Sequence, residues 1–304
     1  MDEYLAGLTT EGINEKTHMI DECSTEQMLL LMNEQDAKVP AAVAAEIPHI
    51  AKAVDTLHRV LRNGGRMFYI GAGSSGRIGV LDASECPPTF GTDPELVQGH
   101  IAGGDIALRL AVEGSEDNEK EGIALIEKIG VTARDVVIGI TASGSARFVI
   151  AALGKSREIG AATIGVVNNK GSRLAPVCDV VIAPVVGPEV IMGSTRLKAG
   201  TAQKLVLNML TTCTMVKLGK TYNNLMVDLK ASNIKLYDRS VRIIKAATGV
   251  DDETAISHLE SASMNSKLAI MMIKTGMNAG DAERALEKCD GSLKAAIRAY
   301  TEVV

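Results

Sequence analysis

Strand-like and helix-like patterns alternate through the middle of the sequence, and this alternation limits the possible folds more than any other feature. The strand-like segments are short apolar runs: Met67–Ile70, Asp135–Ile140, Ala162–Val167 and Asp179–Ala183. Helical patterns lie between most of them, notably at Asp117–Ile129 and Ala146–Glu158. Because parallel strands need crossover connections, the alternation predicts an α/β fold, with a mostly parallel sheet flanked by helices in a doubly wound three-layer sandwich.

Helical patterns also flank this central region. Ser24 to Gln27 has the spacing of a capping box, and an amphipathic pattern from Ile47 to Leu61 ends near Asn63-Gly64-Gly65. A long helix is predicted from Ser194 to about Leu218, and only short helical patterns follow Gly249. The predicted organisation is an N-terminal helical segment packed on the core (1–56), a central α/β domain (57–220), a connecting helical segment (221–248) and a small all-helical C-terminal domain (249–304).

Charge and composition exclude several classes of partner. The chain has 32 Lys and Arg against 37 Asp and Glu, with three Phe, five Tyr and no Trp, so we expect no nucleic-acid partner. No stretch approaches the roughly 18 consecutive apolar residues of a membrane span. An acidic start at Asp2-Glu3 and scattered cysteines without a C-x-x-C pair predict a cytoplasmic protein with reduced thiols. The histidines lack zinc-ligand spacing, and we expect no metal.

A glycine- and serine-rich loop follows the first predicted strand. Gly71-Ala72-Gly73-Ser74-Ser75-Gly76 matches G-x-G-x-x-G literally, but no strand ending in an acidic ribose partner follows about 20 residues later, which argues against a dinucleotide. The loop also lacks the lysine of a Walker-type site. Ser74 and Ser75 place hydroxyls beside the backbone N–H groups of a helix start, where an anion is favoured.

A second loop of the same kind follows the Asp135–Ile140 strand. It reads Thr141-Ala142-Ser143-Gly144-Ser145 and precedes a helix. Loops at the carboxyl ends of parallel strands can converge on one ligand, and two such loops suit a small phosphorylated molecule better than a dinucleotide. The alternative is that the hydroxyls only cap the two helices.

Candidate acids and bases lie downstream of the first loop. Glu85 stands just before Pro87-Pro88, which are predicted to end the helix there, and Glu116 belongs to an acidic cluster at Glu113–Asp117. Helix-start electrostatics is the alternative reading of that cluster, and a solvated turn is the alternative for Glu85. Cys86 lacks a neighbouring histidine, so we interpret it as a buried apolar residue rather than a nucleophile.

A cationic string begins the long helix that is predicted from Ser194. Gly193–Lys204 combines three cations with several hydroxyls, and Lys198 and Lys204 are candidate phosphate ligands. The alternative is an exposed charged helix face.

These motifs together resemble the N-acetylmuramic acid 6-phosphate etherase family over essentially the whole chain. The resemblance is carried by the following segments: LTTEGIN (Leu8–Asn14), GAGSSGR with LDASECPPTFG (Gly71–Gly91), AVEGSED (Ala111–Asp117), GITASG (Gly139–Gly144) and GSTRLKAGTAQKLVLNMLTT (Gly193–Thr212). It implies a sugar-isomerase (SIS) fold across about Leu57–Lys220, a homodimer, and no metal or organic cofactor. It also implies hydrolysis of the lactyl ether of N-acetylmuramate 6-phosphate to N-acetylglucosamine 6-phosphate and D-lactate, in cell-wall sugar recycling.

The resemblance also implies roles for individual residues. Glu116 would take the C2 proton of the ring-opened sugar, and Glu85 would protonate the departing lactate oxygen. The phosphate-binding set would be Ser74, Ser75, Gly76, Thr141, Ser143, Gly144, Ser145, Lys198 and Lys204. Similar proteins continue TASG with Arg-Thr-Pro-Tyr, whereas this chain reads Ser145-Ala146-Arg147-Phe148, and Arg147 is a candidate for the missing cation.

Three other functions remain open from the sequence. An aldose–ketose isomerase would share the serine loops but gives no reason for SECPPTFG. A non-catalytic sugar-phosphate sensor is suggested by the helical tail, which resembles that of regulators of hexokinase-type enzymes. An NAD dehydrogenase rests on the literal glycine fingerprint alone.

Overall fold

The computed structural model describes Tyr4, 7–229 and 234–301. By their internal contacts, the residues form two compact units: Met1–Ser84 with Glu95–Thr211, and Glu85–Pro94 with Thr212–Val304. The first unit thus extends beyond the predicted central domain into the N-terminal helices. The predicted boundaries at 56, 220 and 248 stay predictions.

The first unit opens with helices that the sequence encodes locally. After short 3-10 turns come α1 (Thr25–Asp36), α2 (Val39–Ala44) and α3 (Ile47–Arg62). Ser24 and Gln27 form the predicted capping box at the start of α1. The apolar stripe of α3 is buried from Ile50 to Leu61, as its three- and four-residue spacing predicts.

A five-stranded parallel sheet forms the centre of this unit. Its strands are β1 (Met67–Gly71), β2 (Val97–Ile101), β3 (Val136–Ile140), β4 (Ala162–Val166) and β5 (Val180–Ile182), in the order β2-β1-β3-β4-β5. Every residue of β1 and β3 is buried, as expected for central strands covered on both faces. The predicted α/β sandwich is therefore confirmed.

Helices cover both faces of the sheet. Between the strands run α4 (Gly73–Phe90), α5 (Glu119–Lys128) and α6 (Arg147–Ile159), and α7 (Lys198–Lys217) follows β5. Phe68, Ile70 and Val137 face a core built with α5 and α6. On the opposite face α4 lies close to the sheet, because a Cβ on Gly79 would stand 3.0 Å from the Cβ of Tyr69.

Three local predictions were wrong in detail. The strand β2 was not predicted, because Gln98, Gly99 and His100 interrupt the apolar pattern of this edge strand. The prolines do not end α4 at once: Pro87 and Pro88 lie inside it and the helix ends at Phe90, because a proline loses an N–H donor but keeps a helical φ. The long helix α7 begins at Lys198 rather than Ser194.

The second unit contains a small helical core. It includes α8 (Ile234–Thr248), α9 (Asp252–Ser261), α10 (Ser266–Thr275), α11 (Ala279–Lys288) and α12 (Leu293–Thr301). Its buried residues include Ile244, Leu259, Ile270, Met271 and Leu293, so the predicted all-helical C-terminal region is confirmed. None of the helices in the described residues is long and apolar enough to cross a membrane.

Candidate functional site

The two serine loops leave the sheet side by side. Strands β1 and β3 are parallel neighbours, with Gly71 opposite Ile140 at their carboxyl ends. The chain runs from β1 outward to β2 and then returns to β3 on the other side, so the strand order reverses between β1 and β3. Ligands of open α/β sheets bind at such a switch point.

Glycines shape the first loop around the start of α4. Gly73 has a φ of +54°, and a Cβ on Gly71 would stand 2.6 Å from the backbone nitrogen of Gly76, so the loop turns back tightly on itself. Ser74 and Ser75 make no side-chain hydrogen bond to any residue that the structure describes. Their hydroxyls and the unsatisfied N–H groups of the first turn of α4 can therefore be used by an anion.

The second loop holds three hydroxyls in a row. The Thr141 Oγ1 lies 3.4 Å from the Ser143 Oγ, which lies 2.8 Å from the Ser145 Oγ. The backbone nitrogen of Ser145 also donates to the Ser143 Oγ at 3.2 Å. The residue that precedes α6 is Ala146, which makes no side-chain cap. Capping of α6 is therefore not what these hydroxyls do, and a phosphate cradle fits them better.

The N-terminal segment supports the second loop, a role that sequence reasoning missed. Asn169, which comes just after β4, accepts from the backbone nitrogen and hydroxyl of Thr9 and donates to the carbonyl of Ala142 at 3.0 Å. Its amide nitrogen also donates to the Thr10 hydroxyl. The Tyr4 hydroxyl donates to the carbonyl of Ser143 at 3.2 Å. The signal available in the sequence was the LTTEGIN segment, which carried the resemblance but suggested no partner.

Glu116 lines a cavity that begins at the first loop. The cavity has a volume of about 200 Å³, and its lining includes Gly73, Arg77 and the segment from Leu110 to Glu116. Glu116 follows Gly114, whose φ of +70° turns the chain, and Ser115, whose hydroxyl donates to the carbonyl of Val112. The residue as a whole is exposed, but partial desolvation of its carboxyl and the neighbouring Asp117 raise the pKa of Glu116. A carboxyl with a raised pKa is suited to proton transfer near neutral pH.

Glu85 belongs to the second unit, whereas Glu116 and both serine loops belong to the first. Glu85 is exposed on α4, and its neighbour Cys86 is buried at 2% exposure, as predicted. Within the second unit, Gly91 packs closely on another segment: a Cβ there would stand 2.2 Å from the carbonyl oxygen of Asp228. The segment that follows Glu85 is thus closely packed within its own unit.

The cations of the predicted binding set differ in their surroundings. Lys198 is buried, and its Nζ donates to the carbonyl of Pro188 at 2.6 Å and to Gln35 at 3.3 Å. Burial lowers the pKa of Lys198. These protein acceptors occupy its ammonium group, so Lys198 is not assigned to the ligand. Arg147 is exposed at the start of α6, and its guanidinium has no partner among the described residues.

Glu189 explains why α7 begins at Lys198. Its buried carboxylate accepts from the backbone nitrogens of Lys198 at 3.0 Å and Ala199 at 2.9 Å. The two bonds satisfy orphan N–H groups of the first helical turn, a task that a capping side chain usually performs from the adjacent residue. Burial raises the pKa of Glu189, although these backbone donors oppose it.

Lys204 is exposed and belongs to a polar cluster around Asp82. Asp82 accepts from the buried Tyr69 hydroxyl at 2.9 Å and from Thr211 at 3.3 Å. With its amide oriented to satisfy both ends, Asn208 donates to Asp82 at 3.1 Å and accepts from the Lys204 Nζ at 2.8 Å. Burial raises the pKa of Asp82. The cluster fixes α4 between β1 and α7, three residues before Glu85.

A larger cavity, of about 550 Å³, lies at the opposite, amino edge of the sheet. Its lining includes Arg59, Arg134 and Arg157 but neither serine loop and neither candidate glutamate. Arg59 and Arg157 stand in the last turns of α3 and α6, where cations offset the helix dipole. Within the described part of the chain, no cluster of His, Cys, Asp or Glu is suited to a metal ion.

Two full-length relatives have the same name. An N-acetylmuramic acid 6-phosphate etherase from Clostridium acetobutylicum is 56% identical over 98% of this chain and 99% of its own length. One from Caldanaerobacter subterraneus subsp. tengcongensis is 53% identical over 97% of this chain and 96% of its own length. The chain belongs to the N-acetylmuramic acid 6-phosphate etherase family.

Family models also match parts of the chain. A SIS-domain model matches residues 111–213, a model of the glucokinase regulatory protein N-terminal SIS domain matches 49–156, and one of the C-terminal lid domain of glucokinase regulatory protein matches 223–278. A phosphoheptose isomerase from Neisseria gonorrhoeae is similar over 63% of this chain and 98% of its own, with 18% identity and a TM-score of 0.49. The two full-length relatives and the SIS-domain model confirm the predicted etherase family, SIS-type fold and enzyme class.

Proposed function

We propose that the protein cleaves the D-lactyl ether of N-acetylmuramate 6-phosphate with water, giving N-acetylglucosamine 6-phosphate and D-lactate. The observation that carries this proposal is the pair of serine loops at the switch point of the sheet, with a Glu116-lined cavity at one of them, in a chain 56% identical to a relative named as this etherase. The first loop supplies Ser74, Ser75 and Gly76, and the second supplies Thr141, Ser143, Gly144 and Ser145. These hydroxyls and amides bind the phosphate.

The chemistry requires two proton transfers of opposite direction. An ether oxygen is a poor leaving group, and the C2 hydrogen becomes acidic only when the ring opens to a C1 aldehyde. Glu116 takes the C2 proton, giving an enolate whose electrons expel the oxygen at C3, and Glu85 protonates that oxygen as the C3–O bond breaks. Water then adds to C3 of the unsaturated aldehyde, and C2 regains a proton. Each assisted proton transfer contributes about 10²- to 10⁴-fold.

The raised pKa of Glu116 suits the role of base. A carboxyl with a higher pKa is the stronger base when it is ionised. Activity should therefore rise with pH as Glu116 ionises, and the midpoint of this acid limb should lie above that of an ordinary glutamate.

The test follows both products in deuterated water. Incubation with N-acetylmuramate 6-phosphate should release D-lactate and leave deuterium at C2 of the amino sugar. Glu116→Gln should abolish both, whereas Glu85→Gln should allow C2 exchange in recovered substrate without lactate release. Glu113→Gln is the matched control, because Glu113 lines the same cavity on the same segment but has no assigned role.

Other outcomes select other functions. Binding of the sugar phosphate without any conversion would favour a sensor. The two matches with glucokinase regulatory protein domains support this alternative. Interconversion of aldose and ketose phosphates without lactate would favour an isomerase. Loss of C2 exchange in Glu85→Gln would remove the acid role from Glu85.

The proposal also includes a cytoplasmic homodimer that works without a metal or organic cofactor. Light scattering of the purified protein tests the dimer, and activity after exhaustive dialysis against a chelator tests the independence from metal. A monomer that retains full activity would remove the dimer from the proposal.

A further inference from the structure

Arg77 joins the first serine loop to the segment that leads to Glu116. It lies on α4, four residues after Gly73, and lines the same cavity as Glu116. Its Nε donates to the carbonyl of Leu108 at 3.2 Å, and its Nη2 donates to the carbonyl of Leu110 at 3.1 Å. A planar guanidinium fork thus holds two carbonyls on one stretch of backbone.

That stretch makes few other hydrogen bonds to the rest of the protein, and the 3-10 turn Ser115–Asp117 that follows it packs against α6. A 3-10 turn covers Asp105–Leu108, and irregular backbone continues to Gly114. The hydrogen bonds inside it are local, such as those from Leu110 to Ile106 and from Ser115 to Val112. In the described chain, both hydrogen bonds that tie residues 105–114 to another element come from Arg77.

We propose that Arg77 is a positioning residue for Glu116, which it holds at the reacting centre through the carbonyls of Leu108 and Leu110. The inference rests on the proposed function, in which Glu116 removes the C2 proton. Because proton transfer requires hydrogen-bond reach, a displaced carboxylate would lose rate rather than substrate affinity.

The charges at the site indicate that Arg77 acts through the backbone. No ion pair joins Arg77 to Glu116 among the residues described here, and an adjacent guanidinium would lower the pKa of that carboxyl. The pKa of Glu116 is instead raised, by desolvation and by Asp117. Arg77 therefore acts on Glu116 through the backbone that carries it and not as its charge partner.

The experiment compares Arg77→Met with Arg157→Met in the full-length protein. Arg157 is a matched control because its Nη1 also donates to a backbone carbonyl, that of Pro176 at 2.6 Å, but at the amino edge of the sheet. Arg77→Met should lower kcat for C2 exchange about 10- to 100-fold with little change in KM. Arg157→Met should leave kcat and KM unchanged. The kcat of Arg77→Lys should lie between those of Arg77→Met and the wild type, since one ammonium group cannot reproduce both hydrogen bonds of the guanidinium.

The pH profile distinguishes positioning from a general loss of structure. A loosened segment gives the Glu116 carboxyl more water, so its pKa should fall towards the ordinary value and the acid limb of kcat should move to lower pH in Arg77→Met. Added guanidinium should restore part of the rate to Arg77→Ala. An unchanged profile with a loss of rate equal to the loss of folded protein would overturn the proposal, as would a rise in KM at constant kcat, which would make Arg77 a substrate ligand.

Hydrogen exchange provides a readout that does not need activity. Amides of residues 109–117 should exchange faster in Arg77→Met than in the wild type or in Arg157→Met. If the wild type released no lactate, the proposed function would fail, but faster exchange would still support the anchoring role of Arg77. Equal exchange in all three proteins would overturn that role whatever the wild-type activity.

Discussion

Replacing Gly144 by alanine should destabilise the second serine loop for two separate reasons, a strained backbone and a steric clash. Gly144 has a φ of +73°, and a Cβ built on it would stand 2.3 Å from the Cβ of Ser172 and 3.1 Å from its hydroxyl. Alanine in the left-handed region costs about 1–2 kcal/mol. Forcing an extra methyl group into a packed site costs a further 1–3 kcal/mol or so. The expected loss for Gly144→Ala is therefore about 2–5 kcal/mol.

Gly171 is a matched control for the backbone part of this loss. It lies in the segment that also carries Ser172 and has a φ of +66°, and a Cβ built on it would meet no atom within 4 Å. Gly171→Ala should consequently lose only about 1–2 kcal/mol. The steric part is tested by a second substitution: Ser172→Gly removes the Cβ that would clash, whereas Ser172→Ala keeps it.

The assay is urea unfolding of the single and double variants, together with KM for the sugar phosphate. Gly144→Ala with Ser172→Gly should regain about 1–3 kcal/mol relative to Gly144→Ala alone, and Gly144→Ala with Ser172→Ala should regain little. KM should rise in Gly144→Ala, because the hydroxyls of Ser143 and Ser145 flank the displaced residue, and should stay unchanged in Gly171→Ala. The reasoning is refuted if Gly144→Ala is no less stable than Gly171→Ala, or if both Ser172 variants rescue it equally.

Three further substitutions test other contacts. Burial alone would raise the pKa of Asp135, but hydrogen bonds from Arg66 and Thr132 outweigh burial and lower that pKa. The ionised Asp135 therefore stabilises the fold above about pH 3.9, and this stabilisation is lost as the pH falls through the lower pKa of the folded state. Asp135→Asn should cost about 3–5 kcal/mol in urea unfolding at pH 7, and the difference from wild type should shrink below about pH 3.9. Asn169→Ala should raise KM more than it lowers kcat in lactate release, because Asn169 donates to the carbonyl of Ala142, the residue before Ser143. An unchanged KM would contradict a role of Asn169 in supporting the second serine loop. Lys267 is buried and donates to Asp228 at 2.7 Å and to two backbone carbonyls. Lys267→Met should therefore lower the free energy of unfolding by about 3 kcal/mol, measured by hydrogen exchange in α10. Unaltered exchange in α10 would refute this prediction.

The sequence predicts the sheet well where burial is complete and poorly at its edge. The strands β1 and β3 are buried on both faces, so their apolar runs are continuous and easily recognised. The edge strand β2 has partly exposed positions at Gln98, Gly99 and His100, and this interruption hides it. A pattern based on burial can detect a strand only where the strand is buried.

The serine loops were predicted as loops, but the residues that hold them were not. Each loop follows a strand and precedes a helix, and that local order is visible in the sequence. The hydrogen bonds between Asn169 and Thr9, which support the second loop, join positions 160 residues apart. At the start of α7, the hydrogen bonds of Glu189 with Lys198 and Ala199 likewise span a turn with no regular sequence pattern. Neither contact has a local signal, because the fold alone brings the partners together. Lys198 shows the same limit: its charge suggested a phosphate ligand, but acceptors on Gln35 and Pro188 surround its buried ammonium group.

The proposed phosphate ligands and the proposed base Glu116 are held in different ways, and each way suits the role that we propose. The hydroxyls that we propose to bind phosphate lie in short loops that follow neighbouring buried strands, and glycines at Gly71 and Gly144 allow close packing there. Phosphate stays bound in substrate and transition state alike, so damage to these loops should appear mainly in KM. Glu116 stands in the 3-10 turn Ser115–Asp117, which follows an irregular segment held by Arg77, and its proposed contact with the C2 proton matters only as that proton moves. Damage to this segment should therefore appear in kcat, and a variant of Arg77 that changed only KM would break this division of roles.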